Sequence, residues 1–123
     1  MTNQASIIEV APNRAELAGL EAAAASASRL LKMLASEQRL IMLCRLGEGE
    51  ASVGELAEHA QLAQSAASQH LGKLRAEGVV ATRRDGQTIY YRLADPSTAR
   101  LIELLCDLFA PAEHKTARRR TQG

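Results

Sequence analysis

The chain has 123 residues, of which 46% are apolar, enough for one domain with one core. Aromatic residues make up only 2%, which excludes the base-stacking platforms of single-strand binders and leaves Leu and Ala to build a helical interior. The net charge of +1 is split unevenly: residues 1–72 hold 5 Lys+Arg against 8 Asp+Glu, and residues 73–123 hold 10 against 6, so a polyanion is expected at the basic half.

No segment reaches the ~18 apolar residues of a membrane span. The start, Met1 to Ser6, lacks the basic residues and apolar run of a secretory signal. A cytoplasmic location is expected, where cysteines are reduced and a structural disulfide is not the default.

Residues 1–12 show no period and read as a flexible arm. From Asn13 the spacing becomes helical through Leu17, Leu20, Ala24, Leu30, Leu31 and Leu34, predicting one first helix. Its small Ala22–Ala25 run lets a partner helix approach, or simply faces solvent. A second helix is expected over Glu37–Leu46, stopped by Gly47 and Gly49. Ser52 and Glu55 form a capping box for a short third helix ending near Ala60. Gln61-Leu62-Ala63 is a turn, and a fourth helix spans about Gln64 to Glu77 before Gly78.

The period then switches to strands. Val79–Arg84 and Gln87–Leu93 are expected to pair around an Asp85-Gly86 turn. Asp95 and Pro96 restart a helix whose apolar face carries Leu101, Leu104, Leu105, Leu108 and Phe109 until Pro111. The predicted domain covers residues 13–112, followed by a basic disordered tail, 113–123.

A short helix, a three-residue turn and a second helix have helix-turn-helix spacing. The second helix begins with Gln64, Ser65, Ser68, Gln69 and His70, short polar side chains suited to a major groove, where Gln can pair with an adenine edge. An ordinary solvated face would carry Glu and Lys instead. Lys73 can meet a phosphate, and Arg83, Arg84 and Gln87 at the hairpin tip can reach the backbone or the minor groove. The expected fold is mainly α with a small β-hairpin: a dimeric winged helix-turn-helix of order α-α-α-α-β-β-α.

These segments in order, Leu30–Leu40, Ser52–Leu56, Gln64–Arg75 and Arg83–Leu93, resemble the ArsR-type repressors over about residues 28–110. The resemblance implies a homodimer built from the first and last helices, with Leu17, Leu20, Leu101, Leu104, Leu105 and Leu108 at the interface. It also implies repression at a double-stranded, inverted-repeat operator, relieved by an effector. The look is nearest to two branches, the sulfide- and redox-responsive repressors and the rhizobial nodulation regulators.

Metal-sensing members carry a Cys motif on the helix before the recognition helix, or paired Asp/His on the last one. Residues 53–60 hold no Cys, and His59, His70 and His114 are scattered, so no metal site and no cofactor are expected. The redox-responsive branch has a Cys matching Cys44, with its partner near the end of the last helix. That place falls here on Ala110, and this chain has Cys106 one turn earlier. The resemblance thus makes Cys44 and Cys106 candidate sensing thiols for an oxidant or reactive sulfur species; the other reading is two small core residues. Competing functions are a non-sequence-specific architectural DNA binder and a metal-responsive repressor. No nucleophile–base pair, Cys-x-x-Cys or phosphate-binding Gly loop suggests an enzyme.

Overall fold

A computed structural model describes residues 12–109, and these divide into two compact units with the boundary between Met33 and Leu34. The expected arm (save Pro12), the tail from 113, and Ala110 and His114 lie outside the described residues.

The first unit is helical. The single helix expected from Asn13 is instead two segments, α1 (Arg14–Ala22) and α2 (Ala24–Leu34). Asn13 caps α1 through a capping box with Glu16. Ala23 leaves helical geometry at φ −102°, ψ 18°, and its N–H is shared among the carbonyls of Gly19, Leu20 and Glu21. No residue of α1 is buried, so packing does not hold the two segments in one line.

The second unit contains α3 (Glu37–Leu46), β1 (Ala51–Ser52), α4 (Val53–Ala60), α5 (Gln64–Ala76), β2 (Val80–Asp85), β3 (Thr88–Leu93) and α6 (Pro96–Phe109). Ser36 caps α3, and Ser52 and Glu55 form the expected box on α4. Met42 and Leu43 from α3, Leu56 from α4, and Leu71 and Leu74 from α5 are fully buried and form the centre of the core. Truncating any one of these leucines to Ala should cost roughly 2–5 kcal/mol. Asp95 starts α6, accepting from the Thr98 N–H at 3.2 Å and the Thr98 hydroxyl at 2.7 Å, which satisfies a buried polar group.

The sheet is antiparallel with order β1-β3-β2. The two-residue β1 was not foreseen, because Ser52 reads as a helix cap; it pairs with Tyr90 while also capping α4. The hairpin turn is one residue later than expected. Asp85 pairs with Thr88, so Gly86 and Gln87 form the turn, and Gly86 takes the left-handed φ of +66° that its first position requires.

Candidate nucleic-acid interface

The α4–turn–α5 unit is fixed at both ends by its backbone. At the end of α4 the Gln61 N–H donates to the Glu58 carbonyl at 3.1 Å and the Leu62 N–H to Ala57 at 2.8 Å. This Schellman closure places Gln61 at φ 57°, ψ 46°, a left-handed position usually held by Gly. The end of α5 closes in the same way at Gly78, φ +77°.

α5 buries Ala67, Leu71 and Leu74 against the core. Its opposite face follows helical spacing through Ser65, Ser68, Gln69, Gly72, Lys73 and Ala76, and every one of these is exposed. The face is polar, carries one cation and no carboxylate, and has no bulky apolar side chain. Gly72 lies within it, and nothing stands within 4 Å of where its Cβ would be. α5 starts at Ala63 without a side-chain cap and without an acidic residue in its first turn, so the positive end of the helix dipole is not neutralised locally.

Not all of the residues singled out from the sequence share that face. Gln64 is exposed but turned toward α4, where its Oε1 lies 3.9 Å from the position a Cβ on Gly54 would take. His70 is half-buried, on the flank of α5. Arg84 and Gln87 are exposed at the hairpin. Arg83 pairs across the ladder with Tyr90, and Arg84 with Ile89, so the two arginines start from opposite faces of the hairpin.

Arg83 is not loose. Its Nε donates to Glu50 Oε2 at 2.8 Å, and its guanidinium lies 4.6 Å from the centre of the Tyr90 ring. The hydrogen bond from Arg83 holds the Glu50 carboxyl below its ordinary range, and Glu50 in turn raises Arg83. Sequence reasoning missed Glu50. The signal is visible only after β1 is known, because Glu50 then falls on the same side of the sheet as Ser52 and Tyr90.

The second feature is a thiol pair. Cys44 on α3 and Cys106 on α6 are both free and half-buried, and they stand close enough for Cys106 to act on the Cys44 thiol. They line a cleft of about 880 Å³ together with Leu40, Ile102, Leu105 and Phe109. Burial pushes the Cys44 thiol above its ordinary 9.0, and Cys106 and the Glu48 carboxylate push it the same way. Among the described residues no group of three or more His, Cys, Asp or Glu is placed to hold a metal ion. No helix among them is long and apolar enough to cross a membrane.

A short helix, a tight turn, a polar-faced second helix and a three-stranded wing define a winged helix-turn-helix DNA-binding protein. The pattern of bacterial regulatory proteins of the arsR family matches residues 36–82. The chain is 46% identical over 93 residues to the transcriptional activator HlyU of Vibrio cholerae, covering 76% of this chain and 86% of that one. It is 46% identical over 99 residues to the biofilm growth-associated repressor of Agrobacterium fabrum, covering 80% and 85%. The crystal structure of the transcriptional repressor BigR from Xylella fastidiosa superposes with a TM-score of 0.72 at 39% identity, covering 81% of this chain and 99% of that one. The protein belongs to the ArsR family; it is a sequence-specific DNA-binding transcriptional regulator and not an enzyme.

Proposed function

We propose that the protein is a cytoplasmic homodimeric repressor that binds an inverted-repeat operator and leaves it when Cys44 and Cys106 are oxidised. The continuous exposed face Ser65–Ser68–Gln69–Gly72–Lys73 carries the DNA part of this reading. Such a face can enter the major groove, with Gln69 reading a base edge and Lys73 meeting a phosphate. The exposed leucines of α1 (Leu17, Leu20) and of α6 (Leu104, Leu108), with half-buried Leu101 and Leu105, are surfaces for a second copy. A two-fold dimer then requires half-sites about one helical turn, or a multiple of it, apart. Similar proteins include both an activator and a repressor, so the sign of regulation is part of the proposal.

Two free thiols on neighbouring helices that line the same cleft support the sensing part. Forming an S–S bond removes two protons and two electrons, which an oxidant such as diamide accepts as it becomes the hydrazine. Two molecules of a persulfide donor would instead bridge the two sulfurs through one added sulfur, the donors taking up the two electrons and the thiol protons and leaving as two thiols and one hydrogen sulfide.

The test is selection of duplexes from a random pool by the reduced protein, followed by binding assays before and after diamide or a persulfide donor, with intact mass on the same samples. The reading expects a palindromic consensus, and a loss of two hydrogens or a gain of sulfur that accompanies weaker binding. A Cys44→Ser/Cys106→Ser variant that still releases DNA on treatment would end the sensing part. Equal binding to all duplexes would end the operator part.

A further inference from the structure

In the wing, Glu50, Ser52, Tyr90 and Arg83 share one face of the sheet. The register places Ser52 and Arg83 on either side of Tyr90, with Glu50 two residues before Ser52. The Arg83 guanidinium is thereby held twice, by its Nε on the Glu50 carboxylate at 2.8 Å and by its plane over the Tyr90 ring at 4.6 Å. Its side chain is still 49% exposed, and neither contact uses its two terminal nitrogens.

We propose that Glu50 is a positioning residue of the DNA interface: it holds Arg83 at one angle on the wing and cancels its charge, so that Arg83 contributes direction rather than general attraction. This rests on the reading that the wing meets DNA.

The physical reason lies in what a loose arginine does beside a polyanion. A free guanidinium on a long side chain can turn to whichever phosphate is nearest, and so strengthens binding to every sequence alike. A guanidinium held at its Nε and its face can offer only its terminal nitrogens, along one line. Such an arginine favours the complex in which the wing sits in register. The charge of the wing that draws any DNA is then left mainly to its other exposed arginines, Arg84 at the tip and Arg92 on β3, neither of which is held by such a pair of contacts.

The experiment uses the full-length protein, a duplex selected by the wild type from a random pool, and an unselected duplex of equal length. Affinity is measured against salt for wild type, Glu50→Ala, Arg83→Ala, the double variant and Arg84→Ala, with thermal melting as a check on folding. Glu50→Ala is expected to tighten binding to the unselected duplex, to steepen the salt slope by up to ~0.9, and to lower the selected-to-unselected ratio several-fold. In the Arg83→Ala background, Glu50→Ala should leave that ratio unchanged, since the guanidinium that Glu50 hydrogen-bonds is gone and Arg92, which only feels its charge, is not held by it. An equal fall in the ratio in that background would overturn the proposal, because Glu50 would then act without Arg83. An unchanged ratio and slope for Glu50→Ala, with Arg84→Ala still flattening the slope, would overturn it while keeping the wing at the DNA. Unchanged slopes for every variant would remove the wing from the interface and the proposal with it.

Discussion

Cys44 and Cys106 stand on different helices, α3 and α6, and both line one largely apolar cleft, where Cys106 helps to keep the Cys44 thiol protonated. Burial holds Cys44 above 9.0 and Cys106 adds to the effect, so Cys44 is a poor nucleophile at neutral pH. Replacing Cys106 with Ala removes its contribution and leaves burial and the Glu48 carboxylate. Alkylation of Cys44 by iodoacetamide should therefore become faster at a fixed pH, with its midpoint moved down toward 9.0. The sign for stability follows from the same shift. The folded state holds the Cys44 proton more tightly than the unfolded state does, so this contribution is complete below the unfolded value and is lost as pH rises through the folded one. A melting series in alkaline buffer should show that loss in the wild type and a weaker one in Cys106→Ala.

The start of α4 supplies a test in acid. The Ser52 hydroxyl accepts from the Glu55 N–H at 3.2 Å, and Glu55 accepts from the Ser52 N–H at 2.8 Å. Ser52→Ala should cost about 1 kcal/mol and lower the melting temperature. The backbone hydrogen bond holds the Glu55 carboxyl below its ordinary 4.5. Its contribution is present above that value and disappears as pH falls through the folded value. Glu55→Gln should remove this part of the acid sensitivity when melting is followed from neutral to acidic buffer.

The turn between α4 and α5 makes a prediction at one residue. Gln61 is the one described non-glycine residue at positive φ, 57°. A β-branched side chain is disfavoured there, so Gln61→Ile should destabilise by roughly 1–2 kcal/mol. Gln61→Gly should be tolerated or mildly stabilising. Chemical denaturation of the three proteins checks the order, and equal stability of Ile and Gly variants would mean that the turn can take another form.

The helix-turn-helix, the wing and the start of α6 were legible in the sequence because each is written locally. Ser52 with Glu55, Gly78, Gly86, and Asp95 with Pro96 all act within a few residues of themselves. What was not legible depends on distant pairing. β1 is two residues long and exists because Tyr90 and Tyr91 lie beside it. The Glu50–Arg83 contact spans 33 positions and needs β1 to be in place first. The break at Ala23 falls where a periodic apolar pattern continues but no burial enforces it. Within α5, helical spacing already turns Ala67, Leu71 and Leu74 inward; that His70 sinks half-way beside them, while Ser65, Ser68, Gln69 and Lys73 stay exposed, is visible only in the structure.

Gly72 invites a substitution that should separate stability from binding. A Gly within a helix costs about 1 kcal/mol relative to Ala, and no neighbour within 4 Å demands it here. It lies instead on the exposed face between Gln69 and Lys73, where a missing Cβ permits close approach of a backbone. Gly72→Ala should therefore raise the melting temperature while weakening binding to a selected duplex. Gly72→Leu should abolish that binding and leave the fold intact. Undiminished affinity in Gly72→Leu would show that this part of α5 does not enter the groove.

The far end of α6 carries the last prediction. Leu104 and Leu108 are 52% and 60% exposed, and Phe109 is 82% exposed, on a helix whose other side buries Ile102. Single exposed leucines are common on protein surfaces, but three large apolar side chains within two turns form a contiguous patch. A second copy meeting this patch would bury it, and a charge placed inside it would be desolvated without a partner. Leu104→Glu and Leu108→Glu should therefore yield monomers in light scattering while circular dichroism stays unchanged. Monomers can hold only one half-site, so binding to a duplex with two half-sites should fall steeply, whereas affinity for a single half-site should change little. A variant that remains dimeric with Glu at both positions would place the partner surface elsewhere.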